Sequence, residues 1–193
     1  MESLACTLSL HRKIVPSFVI CMVMVVAFLF QPGNSHAEPG DHAPIVVGLI
    51  TEPTAHHRTG YLDVLASIQG VQSVAVVDPT GETLSDAKRR LKDRFYGEGF
   101  TDAKQMLTTV HPGLTVVTTE GRNAPAAVTV ALNAGSHVVT EKPGCTKLEQ
   151  FEQLARLASK QNRHLMLAMA TRSNAAVKKA RELIADDVIG RPY

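Results

Sequence analysis

A regular alternation of short apolar runs with amphipathic segments constrains the fold more than any other feature of the sequence. Five apolar runs recur along the chain, at residues 44–50, 73–78, 115–119, 137–143 and 164–170. They lack the polar alternate positions of a half-exposed strand, which predicts strands buried on both faces. Segments with helical spacing separate them. This succession predicts right-handed crossovers and a mostly parallel, doubly wound α/β sheet.

The helical segments are marked by apolar stripes and by residues typical of helix ends. The stripes are Tyr61, Leu65 and Ile68; Leu84, Ala87 and Leu91; and Leu148, Phe151, Ala155 and Ala158. Asn123 is expected to cap a further helix, with Pro125 just inside it and Gly135 at its end. Asp102 is placed to cap another. The stretch 95–100 is predicted as a loop or a short edge strand.

Residues 1–37 have the pattern of a secretory signal peptide. A basic stretch precedes an apolar core, and the small-x-small sequence at 35–37 is a cleavage signal. We therefore expect export to the periplasm or the extracellular space, with 38–43 as a linker, 44–193 as the folded domain and no membrane contact after cleavage. The alternative is an uncleaved membrane anchor at 14–30, because this run approaches the length of a spanning helix.

Composition argues against a nucleic-acid partner and against disulfide bonding. The formal net charge is only +2, and the 20 Lys and Arg residues are scattered among 18 acids rather than forming a basic stripe. Aromatic residues make up 5% of the chain, which leaves few platforms for stacking bases. Cys6 and Cys21 lie in the leader, so the mature chain keeps Cys145 without a partner for an intramolecular disulfide.

Polar residues stand at the carboxyl ends of the predicted strands, where sheets of this class bind ligands. They are Thr51, Asp78, Thr118, Thr119, Glu141, Lys142, Thr171 and Arg172. Asp78 follows the first strand and helix at the distance where a dinucleotide fold places its ribose-binding carboxylate. A carboxylate accepts hydrogen bonds from ribose hydroxyls and repels a 2′-phosphate, which predicts NAD over NADP. The alternative is that residues 78–81 are only a turn before a helix.

Lys142 lies between Glu141 and Pro143 at the end of the fourth run. A following proline disfavours the α conformation, so the backbone is expected to stay extended and to aim the amine into the cleft. A lysine there can exchange a proton with a hydroxyl or carbonyl group during hydride transfer. The alternative is a solvated lysine in a loop.

Three stretches together resemble the nucleotide-binding half of the Gfo/Idh/MocA oxidoreductases. In order they are VAVVDP, ALNAGSHVVTEKP and ATRSNAAVKKARELIADDVIGRP. The block AGSHVVTEKP is the most specific, because Gly135, His137 and the tripeptide Glu-Lys-Pro fall together after a helix and a strand as they do in the family. The resemblance runs from about residue 44 to the end and implies a Rossmann-like domain.

This resemblance implies an NAD-dependent oxidoreductase that acts on a sugar, polyol or related hydroxy compound. The family lysine that corresponds to Lys142 lies beside the nicotinamide and the substrate and helps in proton transfer. The family acid that corresponds to Asp78 contacts the adenosine ribose. The loop that carries Thr118 and Thr119 lines the cofactor in the family, and Arg172 corresponds to the arginine after the next strand. Thr51 and Glu141 are further candidates for cofactor contacts.

The first turn departs from the family pattern. The family fingerprint G-x-G-x-x-G lets the backbone approach a pyrophosphate, whereas residues 51–59 contain no glycine. Thr51 or Thr54 is predicted to cap the helix and to leave amides free for a phosphate, with Arg58 adding positive charge. Glu52 adds a negative charge, so the sequence places the main obstacle to cofactor binding in this turn.

The adjacent His56 and His57 invite a metal interpretation, which the sequence disfavours. Neighbouring residues on a helix point about 100° apart, and no nearby Cys or carboxylate completes a set of ligands. We expect both histidines at the start of the helix, close to whatever anion the loop meets.

In the family, a second domain with an open antiparallel sheet supplies most of the substrate pocket and the oligomer interface. The sequence stops at residue 193 before such a domain. We therefore expect a fragment or truncated product that does not turn over substrate alone, and a homo-oligomer only with that domain. The alternatives are an exported binding protein that has lost dinucleotide binding, which fits the scarcity of NAD outside cells, and a nonfunctional gene fragment.

Overall fold

Five parallel strands form the centre of the fold. The structure is a computed structural model that describes residues 43–190, and all of these belong to one unit. The strands are β1 (Ile45–Ile50), β2 (Val71–Val77), β3 (Leu114–Val117), β4 (His137–Glu141) and β5 (Leu165–Ala168). Their order is β2-β1-β3-β4-β5, with every neighbouring pair parallel. The predicted doubly wound α/β fold is confirmed.

Helices cover both faces of this sheet. They are α1 (Arg58–Ser67), α2 (Leu84–Leu91), α3 (Ala103–Val110), α4 (Ala124–Asn133), α5 (Leu148–Lys160) and α6 (Ala175–Ala185), with short 3₁₀ segments at Lys92–Arg94 and Ala170–Ser173. Alternate residues of the strands enter two separate cores. Val47 and Leu49 pack with α1 and α2, whereas Ile50 packs with α3, α4 and α5. This alternation is the one expected of strands buried on both faces.

Two predicted apolar surfaces are more exposed than the sequence suggested. β5 is the edge strand of the described sheet, and its Met166 is 56% exposed, so the prediction of burial on both faces is wrong for this strand. In α5, Leu148 and Ala155 of the predicted stripe are exposed, whereas Ala158 of that stripe is buried together with Leu154, which the stripe did not include. The helix lies over this edge of the sheet, so only a narrow stripe of it is covered.

The ends of two helices test the predicted caps. The carboxylate of Asp102 accepts a hydrogen bond of 2.6 Å from the amide of Gln105 at the start of α3, which confirms the cap. Gly135 has φ of +84° just after α4, a conformation that favours glycine. The predicted cap by the Asn123 side chain is wrong, because this side chain donates to Glu52 instead of bonding to α4.

Residues 95–100 run beside the outer edge of β2 as a loop with two isolated parallel bridges. These bridges join Val74 to Phe95 and Val77 to Phe100. The segment therefore pairs with β2 only at its ends and combines features of the two predicted alternatives. Gly99, with φ of +84°, lies where a Cβ atom would come within 2.8 Å of the Leu84 side chain.

The predicted signal peptide, the alternative anchor and all but one residue of the predicted linker lie outside the described residues. No helix between residues 43 and 190 has the length and hydropathy needed to cross a bilayer. Cys145 is half-buried and carries a free thiol.

Candidate functional site

The candidate site lies where the strand order changes direction. β1 pairs with β2 on one side and with β3 on the other, so the loops that leave β1 and β3 diverge and open a crevice beyond the strand ends. A cavity of about 410 Å³ lies in this crevice. Three loops line it, at residues 54–57, 119–121 and 141–143.

A second cavity, of about 560 Å³, extends from the same place towards the end of β5. The two cavities share His57, Glu141, Lys142 and Pro143, and the second also includes residues 167–171. The Glu-Lys-Pro tripeptide therefore forms part of the wall of both. A ligand in one cavity lies next to a ligand in the other at this wall.

The threonines predicted to contact a cofactor divide into two groups. Thr51 and Thr118 are buried, and the Thr118 hydroxyl donates a hydrogen bond of 2.9 Å to the Thr51 hydroxyl, so these two side chains satisfy each other beneath the cavity. Thr119 lines the smaller cavity, and its hydroxyl oxygen is buried without a hydrogen-bond partner among the described residues. Of the three, Thr119 is the one that lines the cavity.

Asp78 directly follows β2 and has no exposed surface. Its carboxylate accepts the hydrogen bonds that hold the turn after the strand. Oδ1 accepts hydrogen bonds of 3.0 Å from the amide and the hydroxyl of Thr80, and Oδ2 accepts one of 2.8 Å from the amide of Thr83. Burial raises the pKa of Asp78, but these hydrogen bonds outweigh burial and hold the pKa below its ordinary value. The carboxylate therefore has the turn-forming role of the alternative interpretation, and its contact with a ribose stays a prediction.

Glu141 is held by contacts from two elements. Its Oε2 accepts a hydrogen bond of 2.6 Å from the Tyr61 hydroxyl on α1. Its Oε1 lies 3.3 Å from His57 Nδ1 and accepts a hydrogen bond of 3.0 Å from the Lys142 amide. Burial raises the pKa of Glu141, but the bonds from Tyr61, His57 and the Lys142 amide lower it further than burial raises it. The ionised carboxylate thus ties α1 to the end of β4.

The same contact acts on the phenol of Tyr61. Burial and the hydrogen bond to the anionic Glu141 both raise the pKa of Tyr61, because each disfavours a phenolate. Tyr61 therefore stays a neutral donor throughout the physiological pH range. The sequence assigned it only to an apolar stripe, and its polar role at the site was missed.

Lys142 is exposed on the shared wall of the two cavities. Its side-chain nitrogen makes no hydrogen bond or ion pair within residues 43–190, so the amine is available to a ligand. The peptide bond from Lys142 to Pro143 is cis. Gly121 packs closely against this loop, since a Cβ atom there would lie 2.8 Å from Pro143 Cγ. The loop after β3 therefore helps to position Lys142.

Arg172 lies outside the crevice. It is exposed in the 3₁₀ segment after β5 and lines neither of the two cavities, whereas the adjacent Thr171 lines the larger one. The structure thus does not bring Arg172 together with the other candidate residues. Its contact with a cofactor stays a prediction.

The loop after β1 starts α1 later than the sequence indicated. The helix begins at Arg58 after His57, without a side-chain cap, so the predicted caps by Thr51 and Thr54 are wrong. Thr51 is already bonded to Thr118, and Thr54 precedes the first helical residue by four positions. The amides of His56 and His57 have no acceptor among the described residues, and both residues line the smaller cavity. Two residues with unpaired amides therefore line this cavity.

Arg58 supports the loop instead of adding free charge to the cavity. One guanidinium nitrogen donates to the carbonyl oxygens of Glu52 and Pro53, at 3.3 Å each. The other terminal nitrogen lies 4.0 Å from the carboxylate of Asp86 on α2. The predicted contribution of Arg58 to phosphate binding is therefore replaced by a structural one.

Glu52 connects the two loops that diverge at the crevice. Its Oε1 accepts a hydrogen bond of 2.5 Å from the Glu120 amide, and its Oε2 accepts one of 2.8 Å from Asn123 Nδ2. These two contacts are called the Glu52 bridge below. The sequence identified the charge of Glu52 but gave no indication of its partners.

The histidines have a carboxylate neighbour that the sequence did not reveal. His57 lies beside Glu141, although the two are far apart along the chain. Among residues 43–190, no group of three or more His, Cys, Asp or Glu side chains is arranged to hold a metal ion.

Comparison with known proteins agrees with this geometry. A family model described as the GFO_IDH_MocA oxidoreductase family, NAD-binding Rossmann fold, matches residues 46–169. No curated protein matches the chain significantly.

Solved structures share the fold at low sequence identity. Scyllo-inositol dehydrogenase from Lactobacillus casei, with bound NAD(H) and scyllo-inositol, is 21% identical with a TM-score of 0.65, over 76% of this chain and 42% of that one. Myo-inositol 2-dehydrogenase from Lactobacillus plantarum is 22% identical with a TM-score of 0.64, over 76% and 42%. An oxidoreductase from Agrobacterium radiobacter, in complex with NAD+, L-tartaric acid and magnesium, is 15% identical with a TM-score of 0.66, over 78% and 43%.

The chain thus spans less than half the length of these dehydrogenases, and the part it spans is the nucleotide-binding fold. The family model covers most of the described residues, including the carboxyl ends of all five strands. The chain therefore belongs to the Gfo/Idh/MocA oxidoreductase family, and residues 46–169 form its NAD-binding Rossmann domain.

Proposed function

We propose that this chain is the nucleotide-binding part of an NAD-dependent oxidoreductase that oxidises a hydroxyl group of a sugar or polyol. The observation that carries the proposal is the position of Lys142, whose free amine stands on the wall shared by two adjoining cavities at the switch in strand order. With a cofactor in one cavity and a substrate in the other, a proton-transferring group on this wall would lie next to both. The inositol dehydrogenases with the same fold support the substrate class.

The residues of the smaller cavity fit a dinucleotide. The amides of His56 and His57 are unpaired at the start of α1, where a helix favours phosphate groups. The buried hydroxyl of Thr119 lacks a partner and can bond to a ribose or amide group. Lys142 adds an amine on the wall that this cavity shares with the larger one. These groups supply contacts along the length of an extended ligand.

The turn after β2 favours NAD over NADP. Asp78 is ionised at neutral pH, since its pKa is held below the ordinary value. Residues 79–83 add Glu82 and contain no Lys or Arg that could pair with a 2′-phosphate. A phosphate at this end of the crevice would meet two negative charges and no cationic side chain from this turn.

In the proposed mechanism, the residues of this chain move a proton and orient the group that moves it. NAD, when bound, supplies the hydride acceptor. The Nζ atom of Lys142 takes the proton of the substrate hydroxyl as the carbonyl group forms, and the reverse transfer occurs in reduction. Glu141 fixes the backbone of Lys142 through the hydrogen bond from its amide. Tyr61 and His57 hold Glu141 in turn.

Binding of NADH to the purified chain tests the cofactor part of this proposal. Calorimetric titration should give saturable binding, a rise in melting temperature and weaker binding of NADPH. Native mass spectrometry of the chain, before and after denaturation, checks for nucleotide retained during purification. Absence of binding with an unchanged melting temperature would contradict the proposal.

Substitution of Lys142 tests the catalytic part of the proposal. The assay is the oxidation of inositols or other polyols by a form of the protein that is active on them. Lys142→Ala should lower kcat at least about 100-fold, the usual contribution of general acid–base groups, while NADH binding persists. Lys147→Ala is the matched control, because Lys147 precedes α5 and lines neither cavity. Equal turnover of the two variants would refute the role of Lys142.

A second candidate function is that of an exported binding protein without dinucleotide binding, and the Glu52 bridge favours it. The bridge places a carboxylate between the two loops where a cofactor would lie. We retain export through cleavage of residues 1–37 as part of either proposal. N-terminal sequencing of the secreted protein tests it, with a first residue near 38 as the expected result.

A further inference from the structure

The Glu52 bridge joins the two loops that diverge at the crevice, next to the smaller cavity. Glu52 belongs to the loop after β1, and both of its partners belong to the loop after β3. One of these partners, Glu120, lines the same cavity as the free amides of His56 and His57. A ligand that lies between the two loops therefore meets the carboxylate and its hydrogen bonds.

The backbone from which the Glu52 side chain extends is held in place by neighbouring residues. The Arg58 guanidinium holds the carbonyl oxygen of Glu52 itself, and the amide of Ala55 donates to the same oxygen at 3.1 Å. The preceding residue, Thr51, is fully buried. The backbone of Glu52 is thus fixed, and only its side chain can move away to admit a ligand.

We propose that Glu52 is an internal competitor of the dinucleotide, and that release of its carboxylate from Glu120 and Asn123 sets the cofactor affinity of this chain. The inference rests on the proposed function. The carboxylate holds the Glu120 amide and the Asn123 side chain across the crevice, and its negative charge opposes that of a pyrophosphate. Binding must therefore break both hydrogen bonds and move a charge towards solvent.

Removal of the bridge is expected to strengthen binding while it weakens the ligand-free fold. A hydrogen bond to a charged group contributes enough for its loss to change an equilibrium about tenfold or more. Glu52→Gln keeps the shape and removes the charge, and Glu52→Ala removes the side chain altogether. Asn123→Ala removes one of the two donors without changing the charge of the crevice.

The test is calorimetric titration of the purified chain and its variants with NADH, together with melting temperatures with and without NADH. We expect both Glu52 variants to bind NADH about tenfold more tightly than the wild type, and Asn123→Ala to bind with an intermediate affinity. The ligand-free melting temperatures of Glu52→Ala and Asn123→Ala should fall. An increase in affinity with a decrease in stability is specific to a contact that exists only in the ligand-free state.

Glu120→Gln is the matched control for charge. The Glu120 carboxylate lies on the same crevice and pairs with Arg122 at 2.8 Å, but it does not join the two loops. This variant should strengthen binding by much less than Glu52→Gln. An equal effect of the two variants would overturn the inference in favour of a general effect of charge.

The remaining outcomes separate this inference from the function on which it rests. If the wild type binds NADH and the Glu52 variants bind it no more tightly, Glu52 is not a competitor, and the proposed function stands. If neither the wild type nor any variant binds NADH, the proposed function fails and the inference fails with it. Asn123→Ala keeps the test decisive if a Glu52 variant does not fold.

Discussion

Replacement of Tyr61 by Phe removes one hydroxyl group and probes how α1 is attached to the end of β4. In the native structure this hydroxyl donates a hydrogen bond of 2.6 Å to Glu141 Oε2. The Glu141 side chain is only 13% exposed, so water does not readily replace the lost donor. We therefore expect Tyr61→Phe to destabilise the fold and to loosen the loop that carries Lys142.

The magnitude follows from the charge of the acceptor. A hydrogen bond to a charged group contributes about 1.5–3 kcal/mol to the free energy of unfolding. For a domain of this size, 1 kcal/mol corresponds to a change in melting temperature of about 2–4 °C. Tyr61→Phe should therefore lower the melting temperature by about 3–12 °C at neutral pH, measured by circular dichroism or calorimetry.

The effect of Tyr61→Phe should depend on pH in a defined direction. The pKa of Glu141 is lowered in the folded state, so the stability it contributes is present above its ordinary pKa of 4.5 and is lost as pH falls through the lowered folded value. The variant has less of this stability to lose, and the gap between the two proteins should narrow in acid. At high pH, the raised pKa of Tyr61 makes the wild type lose stability above the ordinary value of 10.0, a loss that the variant lacks.

Tyr96→Phe is the matched control for this substitution. Tyr96 is 36% exposed, its hydroxyl has no hydrogen-bond partner within residues 43–190, and its ring stacks on Phe100 with centroids 6.4 Å apart. The stacked ring is kept in Phe, so the free energy of unfolding should change by less than about 0.5 kcal/mol. Equal losses in Tyr61→Phe and Tyr96→Phe, or a Tyr61→Phe loss that does not vary with pH, would refute the reasoning.

Two further substitutions test the turn after β2 and the support of the Lys142 loop. Asp78→Asn should lower the free energy of unfolding in urea by about 1–3 kcal/mol, because the Asn side chain accepts a hydrogen bond from the Thr83 amide less well than the carboxylate does. The variant should also lose less stability than the wild type as the pH falls below 3.8, the ordinary pKa of Asp78. Gly121→Ala should cost about 1–3 kcal/mol, since its Cβ would lie 2.8 Å from Pro143, whereas Gly113→Ala meets nothing within 4 Å. Equal melting temperatures for the two alanine variants would contradict that contact.

The fold could be predicted from the sequence because its determinants are local and repeated. Each apolar run is short, lacks a polar face and is followed by a helical stripe, and each such unit independently indicates a strand covered on both sides. The apolar pattern failed to predict exposure where a strand lies at the edge of the sheet. Met166 has the same apolar character as the buried strand residues, but β5 lies at the edge of the described sheet, and nothing in the sequence of the run reveals its neighbours.

The positions of site residues along the strands were predictable, but their hydrogen bonds were not. Parallel strands bring their carboxyl ends to one edge, so Glu141 and Lys142 were identified from the chain order alone. The contact between Tyr61 and Glu141 joins residues 80 positions apart, and the Glu52 bridge spans about 70. Such contacts depend on the angle at which α1 packs on the sheet, which no local pattern specifies. Tyr61 therefore looked like a core residue.

The two ends of the crevice are stabilised in ways that have opposite consequences for a cofactor. At the Lys142 end, the half-buried Glu141 bonds to its neighbours on the same wall of the cavity, so the contacts that fix the site leave the cavity open. At the Glu52 end, the carboxylate bonds across the crevice, so the contact that stabilises the ligand-free fold is the one a ligand must break. Loss of the glycines did not disturb the sheet, because the backbone bonds from Thr51 to Val77 and from Thr118 to Ile50 do not depend on them. The departure from the family fingerprint therefore leaves the fold intact, and we expect its effect in the free energy of ligand binding.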